Sequence, residues 1–212
     1  MATANITREE AVLRSGVVKA GAYRVTVDVT GNGVADPERT FASHTELDFA
    51  SKGGSTHLDV IADEIRSATL DGALLPVDGF DGYRLPLTDL TEGNHTIVVD
   101  AVHRYSHTGE GLHRFVDTDG KVYLYSQFET ADARRMYATF EQPDQKATFQ
   151  LTVLAPAHWS VFTNSRCVEG QPAGEGVARF EHAPTPVIST YITALVVSTR
   201  SEERRVGKEC RS

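Results

Sequence analysis

Apolar and polar residues alternate in short runs along most of the chain. In the run AYRVTVDVT, at 22–30, every second residue is apolar, which is typical of a half-buried strand. Gly31-Asn32-Gly33 follows, a turn sequence in which glycine supplies positive φ. Comparable runs predict further strands at 40–49, 56–62, 65–70, 83–87, 95–102, 122–128, 147–154, 159–163, 177–182 and 188–197.

These strands recur at intervals of roughly 8 to 12 residues and are separated by Asp-Gly and Glu-Gly-Asn turns, a spacing typical of all-β domains. We therefore predict an all-β fold, either an antiparallel β-sandwich or a curved, saddle-like sheet. One short helix is expected before the first strand. Thr7 and Glu10 form a capping box, so the helix should run over 8–15 and stop at Gly16.

The stretch at 123–149, YLYSQFETADARRMYATFEQPDQKATF, combines a predicted strand with candidate chemistry. The two-residue period places Gln127 and Glu129 on the same face at the strand end. A short helix is predicted directly after Glu129, over 130–136. Pro143 disfavours helix at the preceding residue, and the next strand resumes at 147.

Composition narrows the function classes. The chain of 212 residues is 40% hydrophobic, with a net charge of -8 and a pI near 5.5, so a nucleic-acid partner is not expected. It contains no apolar run of secretory or membrane-spanning length, and only Cys167 and Cys210 as cysteines. We expect a cytoplasmic protein without a disulfide framework and without a membrane partner.

The same stretch resembles a segment of the zinc aminopeptidases of the aminopeptidase N type, which reads Q-x-E, then A-R, then F-x-x-P-D-x-K-A-x-F. The preceding RYSHTGEGLHRFVDTDG, at 104–120, resembles the corresponding loop of actinobacterial members. The resemblance extends over about 7–197 but covers only the first domain of proteins several times this length. The matching residues are Gln127, Glu129, Ala133, Arg134, Phe140, Pro143, Asp144, Lys146, Ala147 and Phe149.

The resemblance implies roles for two residues. In relatives the glutamate of Q-x-E pairs with the α-ammonium of a peptide and the glutamine lines the first side-chain pocket, so these roles fall on Glu129 and Gln127. The expected partners are peptides with a free N-terminus. Taken without the resemblance, a solvated glutamate at a strand end is the simpler interpretation of Glu129, and Arg134 is expected to be structural.

Members of this family bind zinc through H-E-x-x-H, in which two histidines share one helix face and the glutamate serves as general base. That motif is absent from the sequence, as is the family's G-x-M-E-N strand. Zinc is therefore expected only in a full-length parent, and this chain is predicted to contain no catalytic or metal-binding residue. His103 and His107 have the i, i+4 spacing, but Arg104 occupies the base position, so a polar loop with solvated or hydrogen-bonded histidines is expected.

Three functional hypotheses follow. The first is an amino-terminal β domain, 1–198, that supplies Gln127 and Glu129 to an active site completed by a missing catalytic domain. The second is a stand-alone β-sandwich module that binds peptides or carbohydrates without catalysis. The third is a self-contained hydrolase built around His103 and His107. The remaining residues, 199–212, are strongly charged and resemble the translation of a sequencing adapter, so we expect an artefactual tail that packs against nothing.

Overall fold

In the computed structural model, residues 5–167 and 170–199 are described, and they form a mostly β fold preceded by one helix. The helix, α1, spans Arg8–Val17, and single 3₁₀ turns occur at Ala133–Arg135 and Thr190–Ile192. The strands are β1 (Val18–Asp28), β2 (Thr40–Asp59), β3 (Glu64–Leu70), β4 (Ala73–Leu74), β5 (Arg84–Arg104), β6 (Gly111–Val116), β7 (Val122–Gln127), β8 (Thr148–Pro156), β9 (Trp159–Thr163), β10 (Gln171–Gly174), β11 (Val177–Glu181) and β12 (Leu195–Thr199).

The described strands form two sheets. The large sheet has eight strands in the order β10-β11-β8-β1-β2-β5-β3-β4, and the small sheet has four in the order β6-β7-β12-β9. Alternate residues of both sheets are buried, as the period-2 pattern predicts. The predicted all-β class is confirmed.

The large sheet is mixed, because β1 and β8 are parallel, with Tyr23 opposite Phe149 and Val27 opposite Val153. The prediction of a purely antiparallel fold is therefore wrong for this pair. A parallel pair needs a long connection, and here the chain between the two strands includes β2 to β7. Local spacing of strands carries no information about a pairing across so long a connection.

Two pairs of predicted strands are single long strands, and one of these pairs is 83–87 with 95–102, which lies in β5 apart from residue 83. The segments predicted at 40–49 and 56–62 both lie in β2, except for residues 60–62, which follow the end of that strand. The register between β2 and β5 shifts between Gly54 and Thr56. Gly53 and Gly54 have positive φ at this bulge. The glycines therefore bend a continuous strand where the sequence pattern indicates a turn.

The core contains buried side chains from both sheets and is rich in aromatic rings. Tyr23 and Phe149 are stacked, with ring centroids 4.6 Å apart, and Tyr137 packs on Phe149 with its centroid at 6.2 Å. All three side chains are buried. The segment that follows the candidate site is thus fixed by the core of the domain.

The N-terminal helix begins as predicted. The Thr7 hydroxyl accepts a hydrogen bond from the Glu10 backbone N–H at 3.1 Å, and Glu10 Oε2 accepts one from the Thr7 N–H at 2.8 Å. The helix continues to Val17, past the predicted stop at Gly16. No helix in the described part of the chain is long and apolar enough to cross a membrane.

Two features of the small sheet differ from the sequence-based prediction, namely the strand β6 and the position where β12 ends. β6, at 111–116, lies within the segment 104–120 that was expected to be a loop from its resemblance to the family, yet it pairs with β7 along its whole length. β12 ends at Thr199, which pairs with Trp159, one residue beyond the predicted domain boundary. The rest of the predicted tail, 200–212, lies outside the described residues.

Candidate functional site

Gln127 and Glu129 lie where β7 leaves the small sheet. Both side chains are exposed, whereas Phe128 between them is buried. The Gln127 side-chain carbonyl accepts a hydrogen bond from the Glu129 backbone N–H at 3.0 Å. The structure therefore places the two predicted residues next to each other, and the Glu129 side chain is exposed.

The backbone around this pair is held from both sides. Phe128 packs its ring against Tyr137, with centroids 6.2 Å apart. On the neighbouring strand, Gly111 lies opposite Gln127 and has a φ of 67°. A Cβ at Gly111 would approach Arg135 to 2.9 Å, so glycine is needed there for both conformation and space.

The chain turns sharply after Glu129, and the peptide bond from Glu129 to Thr130 is cis. The helix predicted over 130–136 is reduced to the 3₁₀ turn at Ala133–Arg135. Arg135 Nε donates to Asp132 Oδ1 at 2.6 Å across this turn. A short helix after Glu129 is thus confirmed in position but is only one turn long.

Arg134 has the predicted structural role. It is buried, its backbone N–H donates to Glu141 Oε2 at 2.8 Å, and its guanidinium donates to Asn5 Oδ1 at 2.6 Å. Glu141 also accepts a hydrogen bond from the Thr190 hydroxyl. These contacts tie the turn after Glu129 to the beginning and end of the domain.

A second buried contact joins α1 to β2 and to the backbone at Glu141. Arg14 in α1 pairs with Asp59 in β2 at 2.7 Å, and both side chains are only 1% exposed. Asp59 Oδ2 also accepts the Glu141 backbone N–H at 2.9 Å. Burial alone would raise the pKa of Asp59, but His57 and Arg14 outweigh it and hold that pKa below its usual value.

Sequence reasoning identified neither Asp59 nor Glu141. Glu141 is buried, and the loss of solvation raises the pKa of its carboxyl to about 7, although the hydrogen bonds from Thr190 and Arg134 act in the opposite direction. The sequence offers one signal, the polar pair Glu141-Gln142 directly before Pro143. That signal does not distinguish a buried carboxyl from an exposed one.

The raised pKa of Glu141 predicts a pH-dependent stability. The folded protein holds the proton on the Glu141 carboxyl more tightly than the unfolded chain does. The contribution of Glu141 to the free energy of unfolding should therefore fall as pH rises from about 4.5 to about 7. In Glu141→Gln a neutral side chain remains at every pH. The free energy of unfolding of the variant, relative to the parent, should rise by on the order of 3 kcal/mol across this window, measured by urea denaturation at a series of pH values.

The comparison with the parent is necessary because His103 contributes with the opposite sign. Burial lowers the pKa of His103 to about 4, so its contribution increases with pH between about 4 and 6.5. Glu92→Gln, at an exposed position in β5, controls for the change in net charge. If the free energy of unfolding of Glu141→Gln changes with pH in the same way as that of the parent, Glu141 does not titrate as the structure indicates.

His103 is not in a polar loop, and that prediction is wrong. It lies in β5 with its side chain fully buried, Nε2 2.9 Å from the Ser43 hydroxyl and Nδ1 2.8 Å from the Ile61 carbonyl. The strand simply continues further than the pattern indicated. His107 is in an exposed loop, as predicted, where Nδ1 contacts the Arg114 carbonyl at 3.1 Å.

The described residues do not fit a zinc ion. Among residues 5–167 and 170–199, no three His, Cys, Asp or Glu side chains come together as a metal-binding group. His103 uses both ring nitrogens in contacts inside the fold.

Comparison with known proteins gives consistent matches to one family. The family model described as the Peptidase M1 N-terminal domain matches residues 84–192. Aminopeptidase N of Streptomyces lividans is 45% identical over 197 residues, which cover 91% of this chain and 22% of that protein. Aminopeptidase N of Acetobacter pasteurianus is 36% identical over 113 residues, 50% of this chain and 31% of that protein. The chain thus spans about a fifth of the length of the Streptomyces relative.

Proposed function

The chain belongs to the family of M1 peptidase N-terminal domains, and from this membership we propose that it is the substrate-recognition domain of a zinc aminopeptidase that removes N-terminal residues from peptides. Glu129 binds the α-ammonium of the peptide, and Gln127 lines the pocket for the first side chain. The zinc and its ligands belong to a catalytic domain that follows in the same polypeptide. The proposal is carried by the exposed pair Gln127 and Glu129 at the end of β7.

The geometry of this pair suits the recognition of an amino terminus. An exopeptidase must bind a cation at the end of its substrate, and a carboxylate does so through charge-assisted hydrogen bonds. Glu129 is exposed in this domain, so its carboxylate is available to a ligand. A facing domain that excluded water would strengthen the attraction between carboxylate and ammonium.

The rigid surroundings support a positioning role. The Gln127 side chain is held by the Glu129 N–H, and Phe128 fixes the backbone between them in the core. Arg134, Glu141 and Thr190 hold the turn that follows. Substrate-binding groups on a rigid support lose little conformational entropy when a ligand binds.

The length of the aminopeptidase relatives favours this proposal over a stand-alone binding module, because the matched region is a small part of each of them. For this reason we predict that the chain alone neither hydrolyses alanine or leucine anilides nor retains stoichiometric zinc after dialysis. The test is a chimera in which 7–197 replaces the corresponding region of Streptomyces lividans aminopeptidase N.

The chimera should hydrolyse these anilides and retain zinc, while the chain alone should do neither. The Streptomyces enzyme itself serves as the positive control. Hydrolysis of the anilides by the chain alone, after contaminating peptidases have been removed, would contradict the proposal. A folded, zinc-loaded chimera that fails to hydrolyse them would also contradict it.

A further inference from the structure

Two neighbouring arginines in the 3₁₀ turn after Glu129 have different surroundings. Arg134 is buried, and its backbone N–H donates to Glu141, so it holds the turn from the side of the core. The Arg135 side chain is 38% exposed. Arg135 therefore contacts the turn from the side of the solvent, where Gln127 and Glu129 are also exposed.

The alkyl stem of Arg135 lies against β6, beside the residue that pairs with Gln127. Gly111 is directly opposite Gln127 in the register of β6 and β7. A Cβ added at Gly111 would lie 2.9 Å from the Cβ of Arg135 and 3.0 Å from its Cδ. The stem thus occupies the space that a side chain at this position of β6 would need.

The guanidinium of Arg135 makes two ionic contacts beyond this stem. Its Nε donates to Asp132 Oδ1 at 2.6 Å, and Nη2 lies 3.4 Å from Glu110 Oε2. Asp132 belongs to the turn, whereas Glu110 directly precedes β6. We call these contacts of Arg135 with Glu110, Gly111 and Asp132 the Arg135 bridge, because they join the turn to the beginning of β6.

The Arg135 bridge restricts the backbone that contains Glu129. The Asp132 N–H donates to the Phe128 carbonyl at 3.1 Å, so these two residues close the turn around Glu129. Ion pairs between exposed side chains add little to global stability. The effect of the bridge is therefore expected on the local order of this turn, and order present before a ligand arrives reduces the entropy lost on binding.

We propose that Arg135 is a positioning residue for the recognition of the peptide amino terminus. It holds Asp132 against β6, and it thereby keeps the Glu129 carboxylate where the α-ammonium binds. This inference rests on the proposed function. The competing interpretation is a surface arginine without influence on the site. Arg39 is a matched example, since it also pairs with an aspartate three residues earlier, Asp36, at 3.6 Å, and is 78% exposed.

The first test measures the order of the turn in the chain alone, independently of any activity. Amide hydrogen exchange is followed by NMR at Glu129 and Asp132, whose N–H groups donate to Gln127 and Phe128. In Arg135→Ala both amides should exchange at least about threefold faster than in the parent, because local opening becomes easier. Arg39→Ala, the control, should leave both rates unchanged. Rates in Arg135→Ala equal to those of the parent overturn the proposal.

The second test is a double-mutant cycle in the Streptomyces chimera. Arg135→Ala should lower kcat/KM for leucine anilide by about tenfold, since a small displacement of a binding group is costly. In the Glu129→Ala background the same change should cost no more than about twofold, because Arg135 acts through Glu129. Arg135→Lys, which retains a stem and a positive charge, should lose less than Arg135→Ala. Zinc content should be the same in all variants.

The outcomes of the cycle separate this inference from the proposed function. An equal loss from Arg135→Ala in both backgrounds shows a general structural effect and overturns the positioning role. If Glu129→Ala lowers kcat/KM as expected but Arg135→Ala and Arg39→Ala both leave it unchanged, the positioning role is wrong and the proposed function stands. If Glu129→Ala has no effect, both are wrong.

Discussion

Asp59→Asn is expected to lower the free energy of unfolding by about 3 to 5 kcal/mol, because it leaves the buried Arg14 guanidinium without its counterion. The Arg14 and Asp59 side chains are each 1% exposed, and their charged atoms lie 2.7 Å apart. The substitution also weakens the acceptor that Asp59 offers to the Glu141 backbone N–H. Urea denaturation monitored through Trp159 fluorescence measures the effect.

The matched control is Glu46→Gln, which removes one partner of an exposed ion pair with Arg24. Both side chains are partly exposed, at 35% and 40%, and Arg24 also contacts Asp48. This change should cost no more than about 1 kcal/mol. An Asp59→Asn variant as stable as the control would mean that α1 is not held by its buried charge pair.

The local features of the fold could be predicted from the sequence because they depend on neighbouring residues. The capping box of Thr7 and Glu10 needs only a spacing of three residues, and the exposed face of β7 needs only alternation. The pairing of Gln127 and Glu129 was inferred in the same way, from their two-residue spacing, and their role as a binding site stays a prediction. Their roles came from a resemblance, which the membership of the M1 peptidase N-terminal domain family has confirmed at the level of the domain.

The features that sequence reasoning missed depend on residues far apart in the chain. The parallel pairing of β1 and β8 is a tertiary choice that no local pattern records. His103 was interpreted as part of a loop because nothing nearby shows that β2 pairs with β5 as far as Thr40 and Arg104. The burial of Glu141 likewise depends on Asp59 and Thr190, which are distant in sequence.

The functional consequence of the site is tested in the chimera, where Glu129→Ala should lower kcat/KM. A hydrogen bond to a charged group contributes about 1.5 to 3 kcal/mol, and an unpaired charge in a closed site raises the loss to about 2 to 5 kcal/mol. These free energies correspond to a decrease in kcat/KM of roughly 10- to 1,000-fold or more. Glu129→Gln should lose less, since the amide retains an oxygen acceptor.

Two controls separate substrate recognition from structural damage. Because Glu129 is exposed at the end of β7, its substitution should leave the free energy of unfolding within about 0.5 kcal/mol and the zinc content unchanged. Glu92→Ala removes another exposed glutamate, in β5 of the large sheet, and should leave kcat/KM unchanged. If kcat/KM of the Glu129→Ala chimera lies within about twofold of the value for the unsubstituted chimera, Glu129 is an ordinary surface carboxylate.

The most direct test of the central claim compares two competitive inhibitors of the chimera that contain no hydrolysable amide, leucinol and its analogue lacking the amino group. If Glu129 binds the α-ammonium, the parent should prefer the amine, and Glu129→Ala should reduce this preference by roughly tenfold or more, because residue and amine are coupled in one interaction. The inhibition constants of both compounds with both proteins complete the cycle. An undiminished preference for the amine in Glu129→Ala would show that Glu129 does not contact the peptide amino terminus.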